Sequence, residues 1–280
     1  MLFVVSGIVT ITGINLTNRK AVHSTKTLWG VIAANYCTAL ALSAAIFYLG
    51  GSYSASTFTL VLGFATGFLY IGGMFLGMTT IGRRGASISA STNQLSVIIP
   101  VGLSIALFGE SLGLNQLAGA ALALISLPLL AAKAEHKNAG SMDRSTLILL
   151  ATQLLVQGFA QFSSKVLVAS GLEVERNAFF FAVFTSATLV TLPLALRHRG
   201  EIKSPDFAYG IVVGVCNIGG NLSILLALIS LPGAIVFPFV NSGGLLLVTI
   251  LVWLFFKERI SRVNALGIGL TLAAVLLINL

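Results

Sequence analysis

Charge is the property that this sequence has least of. Of its 280 residues, 9% are charged and only eight are Asp or Glu. A soluble globular domain carries charge on roughly a quarter of its residues, so the composition excludes an ordinary soluble fold. Apolar residues make up 56% of the chain. The sequence therefore predicts a membrane protein whose main surroundings are the lipid bilayer.

Cysteine and histidine are also scarce, and this removes several classes of chemistry. The two cysteines, Cys37 and Cys216, lie within long apolar runs, where a small buried side chain is expected rather than a disulfide or a metal ligand. The three histidines lie between such runs and have no metal-ligand spacing. The phosphate-binding motif G-x-x-x-x-G-K-[ST] is not present. We expect no cofactor, no metal and no enzymatic activity.

Long apolar runs are what the sequence has in abundance. A helix needs about 20 apolar residues to cross the hydrocarbon layer, and ten runs of roughly that length follow one another. They cover residues 2–18, 28–49, 57–81, 86–108, 116–132, 146–168, 177–196, 207–231, 234–256 and 264–280. Because the runs do not alternate like the strands of a membrane barrel, they predict an all-α integral membrane protein with ten transmembrane helices. We expect the first run to be retained rather than cleaved as a signal peptide.

The basic residues alternate between the two sides of the predicted spans. Of the sixteen Lys and Arg residues, all but Lys165 and Arg176 lie in the loops after spans 1, 3, 5, 7 and 9. An excess of basic residues marks the cytoplasmic side, so the pattern predicts a multi-pass protein of the cytoplasmic membrane with both termini outside. The net charge of +8 is then explained by topology and by contact with anionic headgroups, and no nucleic-acid partner is expected.

Nearly the same passage occurs twice in the chain. IGGMFLGMTTIGRRGA begins at Ile71, and IGGNLSILLALISLPGA begins at Ile218. The offset between the two copies drifts only from 145 to 148 residues. The pairs that share a residue type include Gly13 with Gly158, Lys20 with Lys165, Gly63 with Gly210, Gly67 with Gly214, Gly85 with Gly233, Asn93 with Asn241, Glu110 with Glu258 and Gly119 with Gly267. This order indicates a duplication into residues 1–138 and 139–280.

Each predicted repeat contains five spans, and an odd number makes the second repeat enter the membrane from the opposite face. Two inverted five-helix repeats are an architecture of secondary transporters, with the substrate site near the midplane between the repeats. Such halves have two related packings, one open to each side, which is what alternating access requires. For the shared glycines we expect close helix packing as the main role. These are Gly63, Gly67, Gly72, Gly73, Gly214, Gly219 and Gly220.

The fourth and fifth spans of each repeat resemble a known family. A Gly-Ala pair begins the fourth span, a glutamate follows its end and a glycine lies early in the fifth span, while the first span contains Gly-x6-Lys. With these marks the whole chain is similar to the drug/metabolite transporter superfamily and its two EamA-type halves. The resemblance implies ten spans and a central cavity lined by spans 1, 3, 4, 6, 8 and 9. It also implies cytoplasmic termini, opposite to the charge count.

No Asp or Glu lies in the middle of any predicted span. Glu110 and Glu258 lie at span exits, and their expected partners are Lys257, Arg259 or loop backbone. Proton-driven carriers of lipophilic cations generally use an embedded carboxylate, so its absence favours a neutral or zwitterionic substrate. Lys165 lies at the outer end of span 6, and we expect its amine to extend to the headgroups, with recognition of a carboxylate as a minor alternative.

Amide side chains are the polar groups that the predicted spans do contain. Gln153, Gln157 and Gln161 are four residues apart, so they share one helical face. Hydrogen bonds between helices would explain a single amide, whereas a set concentrated in spans 4, 6, 8 and 9 favours a binding site. The predicted substrate-binding residues are Tyr70, Asn93, Gln94, Gln153, Gln157, Asn217, Asn221, Asn241 and Ser242.

These observations predict a secondary transporter that moves a small polar or zwitterionic metabolite, such as an amino acid, by alternating access. Amides both donate and accept hydrogen bonds, which suits amino acids, sugars and nucleosides. Two alternatives stay open on the sequence: a multidrug or organic-cation efflux carrier, and a membrane interaction or lipid-handling protein that transports nothing. The oligomeric state is left open.

Overall fold

The computed structural model describes residues 2–25, 27–50, 55–84, 86–110, 112–131, 143–256 and 262–279. Within these ranges the chain is almost entirely helical, with no β-strand. The helices are α1 (Leu2–Ser24), α2 (Trp29–Leu49), α3 (Thr57–Arg84), α4 (Ala86–Leu95), α5 (Ile98–Phe108), α6 (Leu114–Ala131), α7 (Arg144–Ala169), α8 (Arg176–Arg197), α9 (Ser204–Ser230), α10 (Gly233–Phe256) and α11 (Arg262–Asn279). Two single turns of 3-10 helix, Glu173–Glu175 and Arg199–Glu201, precede α8 and α9.

Six helical segments in the described ranges are long and apolar enough to cross a membrane. They are Trp29–Leu49, Thr57–Thr80, Arg144–Ala169, Glu173–Arg197, Ser204–Ser230 and Gly233–Leu251. Shorter apolar helical segments cover Leu2–Asn18, Thr92–Phe108, Leu114–Leu127 and Ala265–Ala274. The prediction of an all-helical chain with membrane-crossing segments is confirmed to that extent.

The fourth predicted span, residues 86–108, is divided in the structure. Helix α4 ends at Leu95 and α5 begins at Ile98, with Ser96 and Val97 in a turn between them, so two helices cover the predicted span. Pro100 accounts for the interruption, because proline lacks the N–H of a regular helix and its ring collides with the carbonyl four residues earlier, that of Ser96. The Ser96 hydroxyl partly compensates by donating a hydrogen bond of 2.6 Å to the Asn93 carbonyl.

The chain folds into two compact units. Unit 1 comprises Met1–Ile71 and Val166–Ile229, and unit 2 comprises Gly72–Lys165 and Ser230–Leu280. Each unit contains helices from both predicted repeats. The repeat boundary at 138–139 stays a prediction, and it lies outside the described residues, as do Gly85 and Glu258.

In unit 1, α2 and α8 lie side by side in opposite directions. At one end of the pair the rings of Trp29 and His198 are stacked, with centroids 5.4 Å apart. At the other end the rings of Phe47 and Phe181 are stacked at 5.6 Å. Residues near the start of one helix therefore contact residues near the end of the other at both ends of the pair.

The shared glycines of unit 1 lie at helix contacts. On α3, Gly63 faces Ala182 of α8, and a Cβ there would lie 2.7 Å from the alanine methyl. On α9, Gly214 faces α2, where a Cβ would lie 2.6 Å from the Asn35 carbonyl oxygen. The close-packing role predicted for Gly63 and Gly214 is confirmed, because a side chain at either position would collide with the neighbouring helix. A Cβ at Gly219 would lie 3.6 Å from the Thr10 methyl, which is an ordinary contact.

In unit 2, α7 lies along the later part of α3, and α6 packs against α10 and α11. A Cβ at Gly73 would lie 2.7 Å from the Gln157 amide nitrogen, so the missing side chain lets the two helices approach closely there. About two turns further along α3, Thr80 contacts Gln153, which lies one turn before Gln157 on α7. These contacts turn the glutamine face of α7 toward α3 and α4.

Candidate functional site

Helix α7 begins at Arg144, directly after Asp143. The Asp143 carboxylate accepts hydrogen bonds from the hydroxyls of Ser145 and Thr146 in the first helical turn, at 2.6 and 2.5 Å. From there α7 runs without interruption to Ala169. Residues four apart on a helix stack on one face, so Gln153 and Gln157 point in nearly the same direction.

Gln153 is the centre of a buried hydrogen-bond network in unit 2. Its side chain is 0% exposed. The Gln153 Oε1 atom accepts a hydrogen bond of 2.5 Å from the Thr80 hydroxyl, and its Nε2 donates to Asn93 Oδ1 at 2.7 Å. Nε2 also lies 3.2 Å from both oxygens of Ser89. With its donors and its acceptor committed, Gln153 is placed to orient Asn93 rather than to bind a ligand itself.

Gln157 differs from Gln153 although it lies on the same face. Its side chain is half-buried and lies against Gly73, where its nitrogen would be 2.7 Å from an added Cβ. Among the residues that the structure describes, Gln157 has no hydrogen-bond partner for its side chain. With respect to these residues, its amide keeps two donors and an acceptor available for another molecule.

Gln161, one step further along α7, connects two other helices. Its Nε2 donates a hydrogen bond of 2.9 Å to the Ser96 hydroxyl at the interruption between α4 and α5. Its Oε1 lies 3.5 Å from Asn241 Nδ2, which also donates to the Phe237 carbonyl at 2.8 Å. The Asn241 side-chain oxygen is left without a partner in the described part of unit 2.

The remaining two predicted residues of unit 2 lie close in sequence to these amides. Gln94 is half-buried, and its Oε1 is buried without a hydrogen-bond partner among the described residues. Ser242 is 1% exposed, and its hydroxyl lies 3.5 Å from the Phe239 carbonyl one turn back. Gln94 thus keeps an unsatisfied acceptor, whereas Ser242 is turned toward its own helix.

The predicted residues of unit 1 form a separate chain of hydrogen bonds. Tyr70 donates from its hydroxyl to Asn221 Oδ1 at 2.6 Å, and Asn221 Nδ2 donates to Asn217 Oδ1 at 2.7 Å. The Asn217 amide then donates to Asn35 Oδ1 at 3.1 Å. Every bond in this chain points the same way, so the donors without a described partner are at Asn35, while Asn217 and Asn221 are largely committed to each other.

The candidate binding site consists of amide side chains of unit 2 that have hydrogen-bonding groups without a described partner. Asn93 Oδ1 is held by Gln153, so Asn93 presents its two N–H donors, and Asn241 presents an acceptor. On α7, Gln157 lies between Gln153, which contacts Asn93, and Gln161, which contacts Asn241. Among the described residues, its side chain keeps both its donors and its acceptor. We call Asn93, Gln157 and Asn241 the amide site. It is uncharged and suits a ligand that both donates and accepts hydrogen bonds.

One buried ion pair lies at the end of the same helix face. Lys165 Nζ is 2.5 Å from Glu110 Oε1, and the two side chains are 11% and 9% exposed. The expectation that Lys165 extends to the headgroups is therefore wrong, because its amine is buried against Glu110. It also lies 5.7 Å from the centroid of the Phe108 ring.

Glu110 also caps helix α10. Its Oε1 accepts a hydrogen bond of 2.8 Å from the Gly233 N–H, and its Oε2 accepts one of 3.0 Å from the Ala234 N–H. These N–H groups have no partner within their own helix. Gly109 makes the contact possible, because it ends α5 in the left-handed conformation at φ 59° and turns the chain. The predicted pairing of Glu110 with backbone is confirmed, whereas Lys257 and Arg259 lie outside the described residues.

The cap and the ion pair make the stability of unit 2 sensitive to acid. Burial alone raises the pKa of Glu110, but the hydrogen bonds from Lys165, Ala234 and Gly233 together with the lysine charge leave the pKa below its ordinary value. A carboxyl with a lowered folded-state pKa stabilises the fold above its unfolded pKa, which is about 4.3. This contribution is lost as the pH falls through the folded-state value.

We expect the melting temperature of the wild type to fall more than that of Glu110→Gln between about pH 6 and about pH 3.5, because only the wild type has this carboxyl to protonate. The measurement is thermal unfolding of the detergent-solubilised protein across that range. Glu201→Gln, which changes an exposed carboxylate, serves as the control and should behave like the wild type. Equal acid sensitivity of wild type and Glu110→Gln would contradict the role given to Glu110.

Comparison with known proteins gives fold but not function. No family model matches the chain. An uncharacterized protein of Haemophilus influenzae is 30% identical over 189 residues, which are 67% of this chain and 64% of that protein. The matched region thus spans less than two thirds of the relative. A solved crystal structure aligns with 99% of this chain and 94% of its own at a TM-score of 0.76 and 16% identity, a likeness that shows the fold alone.

Proposed function

We propose that the protein is a secondary transporter that moves a small polar or zwitterionic metabolite across the cytoplasmic membrane by alternating access. The observation that carries this proposal is the amide site. Gln157 and Asn241 lie on membrane-length helices, Asn93 lies on the short helix α4, and among the described residues all three keep hydrogen-bonding groups that a purely structural role would have satisfied. In a helix bundle, hydrogen bonds between side chains usually consume such groups, as they do at Gln153.

The interruption between α4 and α5 supports the same proposal. Transporters commonly build their sites where a membrane helix is discontinuous, because irregular backbone is tolerated there only when it is buried in protein or lines a cavity. Ser96 lies at this interruption and accepts the hydrogen bond from Gln161. The interrupted helix thus contributes Asn93 directly before its break, beside the glutamine face of α7.

The proposal includes ten spans in two inverted five-helix repeats of the drug/metabolite transporter type. Two features of unit 1 support it. Helices α2 and α8 are equivalent elements of the two predicted repeats, and they run antiparallel. The glycines of α3 contact α8 in the same way as the equivalent glycines of α9 contact α2. Such reciprocity is expected of two inverted copies of one module.

Substitution of the amide site tests the proposal. Gln157→Leu should lower uptake at least about tenfold while changing stability by less than about 1 kcal/mol, because Gln157 has no hydrogen bond to any described residue to lose. Asn93→Ala and Asn241→Ala should also impair uptake. The measurement is uptake into proteoliposomes of labelled probes, namely a mixture of the common amino acids, a hexose and a nucleoside.

The matched control for these variants is Thr152→Val, which changes an exposed polar side chain on another part of α7. It should transport like the wild type. Unchanged uptake in all three amide variants would show that the amide site does not bind the substrate. Uptake confined to an organic cation such as tetraphenylphosphonium would instead favour multidrug efflux.

A further inference from the structure

The Glu110 carboxylate occupies a pocket of donors that are well suited to an anion. Lys165 Nζ and the N–H groups of Gly233 and Ala234 all lie within 3.0 Å of its two oxygens. A helix N-terminus together with a lysine is a strong site for a carboxylate, because the charge and the aligned backbone dipoles act together. The protein's own side chain fills this site in the structure.

Ser104 shows that the site has one more polar group than Glu110 uses. Its side chain is 0% exposed, and its hydroxyl has no hydrogen-bond partner among the described residues. The hydroxyl oxygen would lie 2.5 Å from a Cβ at Gly233, so it faces the first residue of α10. A buried hydroxyl without a partner costs free energy, and a ligand at the start of α10 would supply that partner.

We call the side of α7 that carries Gln157 and Gln161 the amide face, and the Glu110–Lys165 pair lies at its end. Gln157, Gln161 and Lys165 succeed one another at intervals of four residues, so one side of α7 leads from the Gln157 amide past Gln161 to a buried cation. Phe108 lies beneath the lysine amine and is itself stacked on Phe162, with centroids 5.7 Å apart. The face thus combines hydrogen-bonding groups, two opposite charges and an aromatic surface within unit 2.

We propose that the Glu110–Lys165 pair is a binding site for the charged end of a zwitterion, and that the substrate is an α-amino acid. The substrate carboxylate takes the place of the Glu110 carboxylate against Lys165 and the N–H groups of Gly233 and Ala234. The substrate ammonium pairs with the displaced Glu110. The inference rests on the proposed transport function and names the substrate class for the same helix face.

Charge balance favours a zwitterion over other ligands at this site. A buried ion pair is stable because each charge neutralises the other, and separating them leaves two uncompensated charges. A ligand with one charge would pair with only one partner and leave the other unpaired. A ligand with both charged groups attached to one carbon atom gives each residue a new partner, and its side chain then extends along the amide face.

The test compares ligands that differ by one charge. L-glutamine, L-asparagine, L-serine and L-threonine are each compared with their N-acetyl derivatives, which lack the positive charge, and with their α-carboxamides, which lack the negative charge. At least one free amino acid should raise the melting temperature of the wild type. Both of its derivatives should bind at least about tenfold more weakly, because each leaves one buried charge unpaired.

Two variants test whether amino acids bind at the Glu110–Lys165 pair. The double variant Lys165→Met/Glu110→Gln has lost both charges together, which preserves the fold better than either single change, and it should lose amino-acid binding at least about tenfold. Lys203→Met removes an exposed lysine and should bind like the wild type. The proposal is overturned if the derivatives bind as tightly as the free amino acid, or if the double variant binds it as tightly as the wild type. It is also overturned if none of the amino acids raises the melting temperature. Stabilisation by a hexose or nucleoside alone overturns it and leaves the transport function standing.

Discussion

Lys165→Met is expected to destabilise the folded protein by about 3–5 kcal/mol, because it leaves the Glu110 carboxylate buried without its cation. The pair is only 11% and 9% exposed, so water cannot replace the missing partner. Changing Glu110→Gln in the same chain should restore most of the lost stability, because a neutral amide still accepts from the Gly233 N–H and no charge remains. The measurement is equilibrium unfolding of detergent-solubilised protein for both single variants and the double variant.

The non-additivity of these changes is the decisive feature. Two residues that interact directly show a coupling energy in a double-mutant cycle, whereas independent residues add. Lys203→Met removes the same formal charge from an exposed position and should change stability by less than about 0.5 kcal/mol. If the two single effects simply summed in the double variant, the ion pair would not be the interaction that matters.

Gly67→Ala is expected to destabilise unit 1 by about 3 kcal/mol, at the upper end of the cost of overpacking. The added Cβ would collide with the Ser186 hydroxyl and with the Val183 backbone carbonyl of α8. Serine can rotate away, but the carbonyl belongs to the helix itself, so α3 and α8 would have to separate. Thermal unfolding measures the effect.

The matched substitution is Gly102→Ala in α5. A Cβ there has no described atom within 4 Å, so only the helix propensity changes, by about 1 kcal/mol in favour of alanine. The two variants make the same chemical change within helices and should move stability in opposite directions. Equal effects at the two positions would contradict the assignment of Gly67 to a close helix contact.

The helices were predictable because the apolar runs are long and continuous. The interruption at Ser96 and Val97 also had a signal in the sequence, since Pro100 lies four residues beyond Ser96. It was missed because the run stays apolar through residues 97–108, and apolarity alone does not distinguish one helix from two.

The roles of the individual amides could not be predicted from the sequence. Gln153 and Gln157 are identical side chains on one face of α7, yet Gln153 is fully hydrogen-bonded and Gln157 has no hydrogen-bond partner in the described part of the chain. The difference comes from Thr80, Ser89 and Asn93, which the fold brings to Gln153 from sixty or more residues away. The same holds for Lys165, whose partner Glu110 is fixed by tertiary packing rather than by local spacing.

The most direct test of the account is counterflow by the wild-type protein. Proteoliposomes are loaded with an unlabelled mixture of the common amino acids and diluted into a medium that contains a trace of the same mixture in labelled form. A carrier that alternates between two sides exchanges internal for external substrate, so label should accumulate transiently above its external concentration and then decline. Label that only equilibrates, or that enters no faster than in protein-free liposomes, would contradict alternating-access transport of amino acids.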